Sequence, residues 1–273
     1  MIGARVTSGA RTIALTIAGL DPSGGAGVIA DIKTFSALGC FATAAITSIT
    51  FQNPSALFGA QHLSAADVRA QVMPIVAECA VIGVKTGMLP TSEIVQEVTR
   101  LVREEKLPAP VVDPVMRSTS DYALIEDGAL EALLEELLPL ARLITPNIPE
   151  AERITGLVIV DEAGMRRAAK AIRDLGARAV LIKGGHLKSR ESRVQSHESD
   201  GVREETREAI DVLDDDGTVT IFRGEWIDAG NVRGTGCMLS AAIAACLARG
   251  MNLSEAVSGG KRFVSESIAA SVV

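Results

Sequence analysis

Aromatic residues are almost missing from this chain of 273 residues: one Trp, one Tyr and six Phe, 3% in all. So sparse a set offers little for stacking nucleic-acid bases in series. An excess of positive charge is missing too. Asp and Glu number 34 against 27 Lys and Arg, a net charge of −7 at pH 7. That removes the general electrostatic pull toward phosphate backbones, and no nucleic-acid partner is expected. Cysteines are few and form no pattern. Cys40, Cys79, Cys237 and Cys246 make no C-x-x-C pair, and His62, His186 and His197 give no zinc spacing with them. Reduced thiols in a cytoplasmic protein are the expectation.

Long hydrophobic runs are lacking as well. Gly, Pro or a charge interrupts each apolar stretch before it reaches membrane-spanning length, so no membrane partner is expected. Arg5 and Arg11 precede a strand-length run, not the long apolar region of a signal peptide. Two nucleotide-binding signatures are also absent. Gly24-Gly25-Ala26-Gly27 runs into Val28, Ile29 and Ala30 and is not G-x-G-x-x-G. Nor does Lys-Ser or Lys-Thr follow at P-loop spacing.

What is present is the balance of an ordinary globular protein, 47% hydrophobic and 22% charged. The length suits one to two domains. Short apolar runs alternate with helical patterns. Strands are expected at Thr12–Ala18, Phe41–Ile49, Val81–Lys85, Pro110–Asp113, Leu143–Thr145 and Ala179–Lys183. Helices are expected at Val28–Leu38, Ala65–Ala77, Ser92–Glu105, Leu130–Leu138, Glu162–Leu175, Gly236–Arg249 and Leu253–Ile268. Val219–Phe222 alternates as an antiparallel edge strand does. Repeated strand–helix alternation predicts an α/β fold with a mostly parallel sheet. Leu187–Glu208 stands apart: it is rich in Lys, Arg, Glu and Asp and poor in large apolar residues. It reads as a surface loop or as a flap over an active site.

Ligands of doubly wound sheets bind outside the carboxyl ends of the strands. The polar and glycine-rich features fall at those ends: Gly19–Gly27, Gln52-Asn53, Lys85–Met88, Asp113–Met116, Thr145–Glu150, Lys183–His186 and Gly234–Cys237. Gly234-Thr235-Gly236-Cys237 precedes an Ala-rich helix. Backbone N–H groups at such a start form an anion hole suited to a transferring phosphoryl group, although Gly-Thr-Gly also serves as a plain tight turn. Cys237 in the first helical turn is expected to have a lowered pKa, or else to be a small packing residue. Asp113 and Glu150 follow strand ends and have the chemistry to hold Mg²⁺ through water, while Glu150 also suits a helix N-terminus. Lys183 ends its strand within reach of a phosphate or of solvent.

Taken together, these segments resemble the ribokinase superfamily, and within it the hydroxymethylpyrimidine/phosphomethylpyrimidine kinases of thiamine biosynthesis. The resemblance rests on Ala14–Pro54, Val84–Leu89 (VKTGML), Val112–Met116 (VDPVM), Leu143–Ala151 (LITPNIPEA), Val180–Leu187 (VLIKGGHL) and Gly234–Ala245 (GTGCMLSAAIAA). It implies a single ribokinase-like domain over 1–273, a three-layer α/β/α arrangement with a flap near 187–208. It also implies an ATP- and Mg²⁺-dependent kinase, a cytoplasmic homodimer, acting on 4-amino-5-hydroxymethyl-2-methylpyrimidine and its monophosphate.

By that resemblance Gln52 reads the aminopyrimidine edge, with Gly19, Asp31, Met88 and Val115 around the ring. Gly234, Thr235, Gly236 and Cys237 form the anion hole, and Cys237 receives the hydroxyl proton. Lys183 and Asn147 attend the nucleotide, and Asp113 and Glu150 attend the metal. One departure is Asn231-Val232-Arg233, where the family commonly has Asn-Thr-His. The alternatives are a pyridoxal kinase of the same branch and a noncatalytic pyrimidine-binding protein. A thiol-redox enzyme built on Cys237 lacks a resolving cysteine nearby in sequence.

Overall fold

The computed structural model describes residues 11–104, 106–118, 122–185, 208–225 and 233–271. Of the flap expected at 187–208, residues 187–207 lie outside the described residues and Glu208 begins a strand. Strands β1 (Ile13–Leu20), β2 (Phe41–Gln52), β3 (Leu57–His62), β4 (Val81–Thr86), β5 (Val111–Val112), β6 (Leu143–Ile144), β7 (Ala179–Lys183), β8 (Glu208–Asp215) and β9 (Thr218–Glu225) form one sheet. Their order is β3-β2-β1-β4-β5-β6-β7-β8-β9. The run from β2 to β7 is parallel. The pairs β2/β3, β7/β8 and β8/β9 are antiparallel.

Helices cover both faces, as the α/β reading requires. On one side lie α1 (Gly27–Ala37), α7 (Thr235–Ala248) and α8 (Leu253–Ser271). On the other lie α2 (Ala65–Glu78), α3 (Ser92–Arg103), α4 (Asp127–Ala132), α5 (Ile148–Thr155) and α6 (Glu162–Asp174). Alternation along β1 feeds both layers: Leu15 and Ile17 join the second core, Ala14 the first. A strand apolar on both faces is what a parallel sheet buries. Among the described residues no helix is long and apolar enough to cross a membrane.

Small residues set how α7 lies. Ala241, Ala242, Ala244 and Ala245 are buried along it. A Cβ at Gly83 of β4 would come 2.7 Å from the Cβ of Ala248 and 3.0 Å from the carbonyl of Ala244. Only glycine lets the helix sit that close to the sheet. This approach carries the N-terminus of α7 to the carboxyl ends of β1 and β4. Those two strands flank the point where the chain order reverses, the crevice in which such sheets bind ligands.

Besides α5, which is not among the expected helices, three elements differ from the expectations. β3 is held by its antiparallel ladder to β2, a partner its own short sequence does not announce. β8 follows directly on the polar segment and is recruited by β7 and β9 on either side. The leucine-rich stretch expected as one helix begins at Asp127 and widens into a π-helical turn at Leu133–Leu137. It closes as a 3₁₀ turn at Leu138–Leu140, where Pro139 cannot continue an α-helix.

Candidate active site

A cavity of about 940 Å³ opens at the carboxyl ends of the parallel strands. Gly19, Gln52, Met88, Asp113, Val115, Asn147, Glu150, Lys183, Gly234, Thr235, Gly236 and Cys237 all line it. They come from segments spread over more than two hundred residues of chain, and the sheet brings them together.

Two glycine loops nest to make its base. Gly234 precedes α7 with φ +75°, and a Cβ there would sit 2.1 Å from the carbonyl oxygen of Gly25. Gly27 has φ +57°, and its Cβ would sit 2.2 Å from the carbonyl oxygen of Gly19. Asp21 ties the first loop. Its carboxylate accepts from the Ser23 N–H at 2.8 Å, the Ser23 hydroxyl at 2.6 Å and the Ala26 N–H at 3.0 Å. The intrahelical ladder of α7 starts with Met238 N–H donating to Gly234 O at 2.8 Å. The N–H groups of Thr235, Gly236 and Cys237 precede it, in the turn whose donors no helical carbonyl can satisfy. Unsatisfied donors at a helix N-terminus have the chemistry to meet an anion.

Charged groups face it. Lys183 Nζ is 2.9 Å from Asp113 Oδ1, which also accepts from the Thr145 hydroxyl at 3.3 Å. The Ser240 hydroxyl donates to Asp113 Oδ2 at 3.3 Å. Burial alone would raise the Asp113 carboxyl, but Lys183 and Lys85 beside it hold it below the usual range. Among the described residues Glu150 has no such ion pair. Burial and the nearby Asp113 charge push it up to about 7, against the opposing pull of Lys183. Asn147 and Glu150 form a capping box at the start of α5. Asn147 Oδ1 accepts from the Glu150 N–H at 2.9 Å, and Glu150 Oε2 accepts from the Asn147 N–H at 2.8 Å. Asn147 therefore orients Glu150 at the cavity wall.

Two expectations need correction. Asp31 is not at the cavity surface. It is fully buried below it, with Oδ2 accepting from Thr16 Oγ1 at 2.6 Å and from Lys85 Nζ at 2.8 Å. It faces inward because α1 packs that side against β1. Lys85 lines the cavity in its place. A lysine inside the apolar strand Val81–Thr86 was the available sequence signal, since buried lysines persist only when paired. The Cys237 thiol is also not acidified. Burial pushes it up to about 11, outweighing Lys85 and the Gly27 N–H, while Asp113 and Asp31 add to the rise.

Two glycine loops at a helix start, two lysines and two carboxylates share one strand-end crevice, and the whole chain can be set against known proteins. The phosphomethylpyrimidine kinase family model matches residues 21–273. The chain belongs to the phosphomethylpyrimidine kinase family. It is 44% identical over 259 residues to a hydroxymethylpyrimidine/phosphomethylpyrimidine kinase of Rhizobium meliloti, covering 94% of this chain and 91% of that one. Among solved structures, a phosphomethylpyrimidine kinase from Clostridium difficile superposes with a TM-score of 0.77 at 38% identity, covering 93% and 98% of the two chains. A Staphylococcus aureus pyridoxal kinase in complex with AMP-PCP and pyridoxal superposes with a TM-score of 0.80 at 31% identity, covering 95% and 88%. The kinase thus has the ribokinase-like fold and is a phosphotransferase.

Proposed function

We propose that this kinase transfers the γ-phosphoryl group of ATP to the hydroxymethyl oxygen of 4-amino-5-hydroxymethyl-2-methylpyrimidine, and then to the monophosphate so formed, within thiamine biosynthesis. The observation that carries this reading is the shared cavity. The start of α7, the Lys183–Asp113 pair, Gln52 and Met88 all line it.

Phosphoryl transfer asks mainly for positioning and for stabilisation of charge on the moving group. The N–H groups of Thr235, Gly236 and Cys237 meet that charge, with Lys183 as a nearby cation. Asp113 and Glu150 would hold Mg²⁺, which supplies positive charge against the nucleotide phosphates. Hard oxygen donors suit that ion, and one or two protein carboxylates are its usual share.

Cys237 lines the cavity at the start of α7 and is the group proposed to take the substrate's hydroxyl proton. Burial pushes the thiol up to about 11, so Cys237 is mostly protonated at pH 7. Only the minor thiolate form can take that proton, because the protonated thiol has no capacity to accept one.

A second reading, pyridoxal phosphorylation, is favoured by the likeness to the Staphylococcus aureus enzyme. The deciding experiment is ATP consumption with hydroxymethylpyrimidine, its monophosphate and pyridoxal at matched concentrations. Preference for pyridoxal over both pyrimidines would overturn the main reading. A second copy of the chain is expected to cover the β2–β3 edge, where Phe51 and Phe58 are 51% and 72% exposed, and the protein is expected in the cytoplasm. Light scattering of the purified protein tests the dimer.

A further inference from the structure

Arg233 stands immediately before the anion hole and reaches across the cavity mouth to the end of β2. Its Nη2 lies 3.1 Å from Gln52 Oε1, a residue 181 positions away, and its Nη1 lies 2.8 Å from the carbonyl oxygen of Asn53. Both Arg233 and Gln52 line the cavity. A Cβ at Gly25 would lie 3.7 Å from the Cβ of Arg233, so the stem of the arginine rests on the first glycine loop.

A guanidinium has only donors. The amide atom that faces it must be the oxygen, so the nitrogen is on the other side. Nε2 of Gln52 has no hydrogen-bond partner among the described residues. Oε1 keeps a second lone pair, because an amide oxygen accepts twice. Without the arginine, the amide's two orientations are close in energy and the order of donor and acceptor is undefined.

We propose that Arg233 is a positioning residue for substrate selection: its guanidinium fixes the Gln52 amide so that Nε2 donates to a ring nitrogen and Oε1 accepts from the adjacent exocyclic amino group. This rests on reading the substrate as an aminopyrimidine. The same arginine couples that recognition to the anion hole, since the next residue is Gly234. A ring without an acceptor beside an amino group gains nothing from the fixed order.

Arg233→Met keeps the stem and removes the donors. Arg233→Lys keeps the charge but loses the fork that spans two acceptors. Initial rates are measured at saturating ATP with hydroxymethylpyrimidine varied, and with pyridoxal as alternative substrate or competing ligand. Arg233→Met is expected to raise KM for the pyrimidine about 5- to 10-fold, the scale of one ordinary hydrogen bond between Gln52 and the ring that is no longer held in place, with kcat within about 2-fold. The apparent affinity for pyridoxal moves by less than about 2-fold, and Arg233→Lys falls between native and Arg233→Met. Equal losses on both rings, or none, overturn the inference. A rise confined to KM for ATP also overturns it and places the guanidinium on the phosphates. Should Arg233→Met fail to fold, Arg233→Lys carries the same comparison. Turnover of hydroxymethylpyrimidine by the native chain with unaltered KM in the variants defeats this inference alone. No turnover by the native chain defeats the proposed function with it.

Discussion

Lys85 and Asp31 face each other at 2.8 Å, and neither side chain reaches solvent. Burial alone would lower the Lys85 ammonium, but Asp31, and beyond it Cys237 and Asp113, hold it above its usual range. Asp31 thus keeps Lys85 charged beneath the start of α7, while the pair as a whole carries no net charge.

Breaking this pair from one side leaves an uncompensated buried charge. Asp31→Leu or Lys85→Met alone is expected to cost about 3–5 kcal/mol. The double variant should recover most of that loss, because it buries no charge. Urea unfolding of the three variants decides: additive losses would mean the ion pair is not what holds the two residues.

Glu150 ties stability to pH. Its folded-state carboxyl is raised to about 7, above the ordinary carboxyl range. The folded protein therefore binds a proton that the unfolded chain has released. The stability this supplies is complete below the unfolded-state value and is lost as pH rises through about 7. Glu150→Gln keeps an oxygen for the Asn147 N–H. It should match native stability near pH 4 and exceed it by about 1–3 kcal/mol at pH 8, without nucleotide or metal. Thermal unfolding across that range is the measurement, and a pH-independent difference would contradict the assignment.

Cys237→Ala should lower kcat by about 10²- to 10⁴-fold while leaving the backbone anion hole in place. The native kcat should climb between pH 7 and 9, since the thiolate fraction is still rising toward a value of about 11. The alanine variant should show a flatter profile. Unchanged turnover would reduce Cys237 to a residue that packs the helix start.

Gln52→Leu leaves the polar edge of an aminopyrimidine without its partner, at a cost of about 1–3 kcal/mol. That is roughly 5- to 150-fold in kcat/KM for hydroxymethylpyrimidine. Pyridoxal presents a phenolic oxygen and an aldehyde and should lose less. Equal losses would show that Gln52 does not read the amino-pyrimidine pattern.

Local physics was enough for much of this protein. The apolar run of β1, the glycines at 24–27 and 234–236 and the alanines of α7 each state their conformation within a few residues. Steric limits on backbone angles and the burial of apolar faces act at that range, so the α/β alternation and the rim of strand-end motifs could be read directly. What tertiary structure decided are interactions between residues far apart in sequence. Asp31 could have faced the cavity or the core until α1 docked on β1 and Lys85 arrived from 54 positions away. β3 and β8 became strands because ladders were offered to them. Cys237 sits at a helix start, which favours a thiolate, yet the desolvated neighbourhood of Asp113 and Asp31 reverses that preference. The arginine before the anion hole meets Gln52 only in the folded chain. A side chain's local conformation follows from its neighbours in sequence, but its charge state and its partner depend on the dielectric and the groups that folding assembles around it.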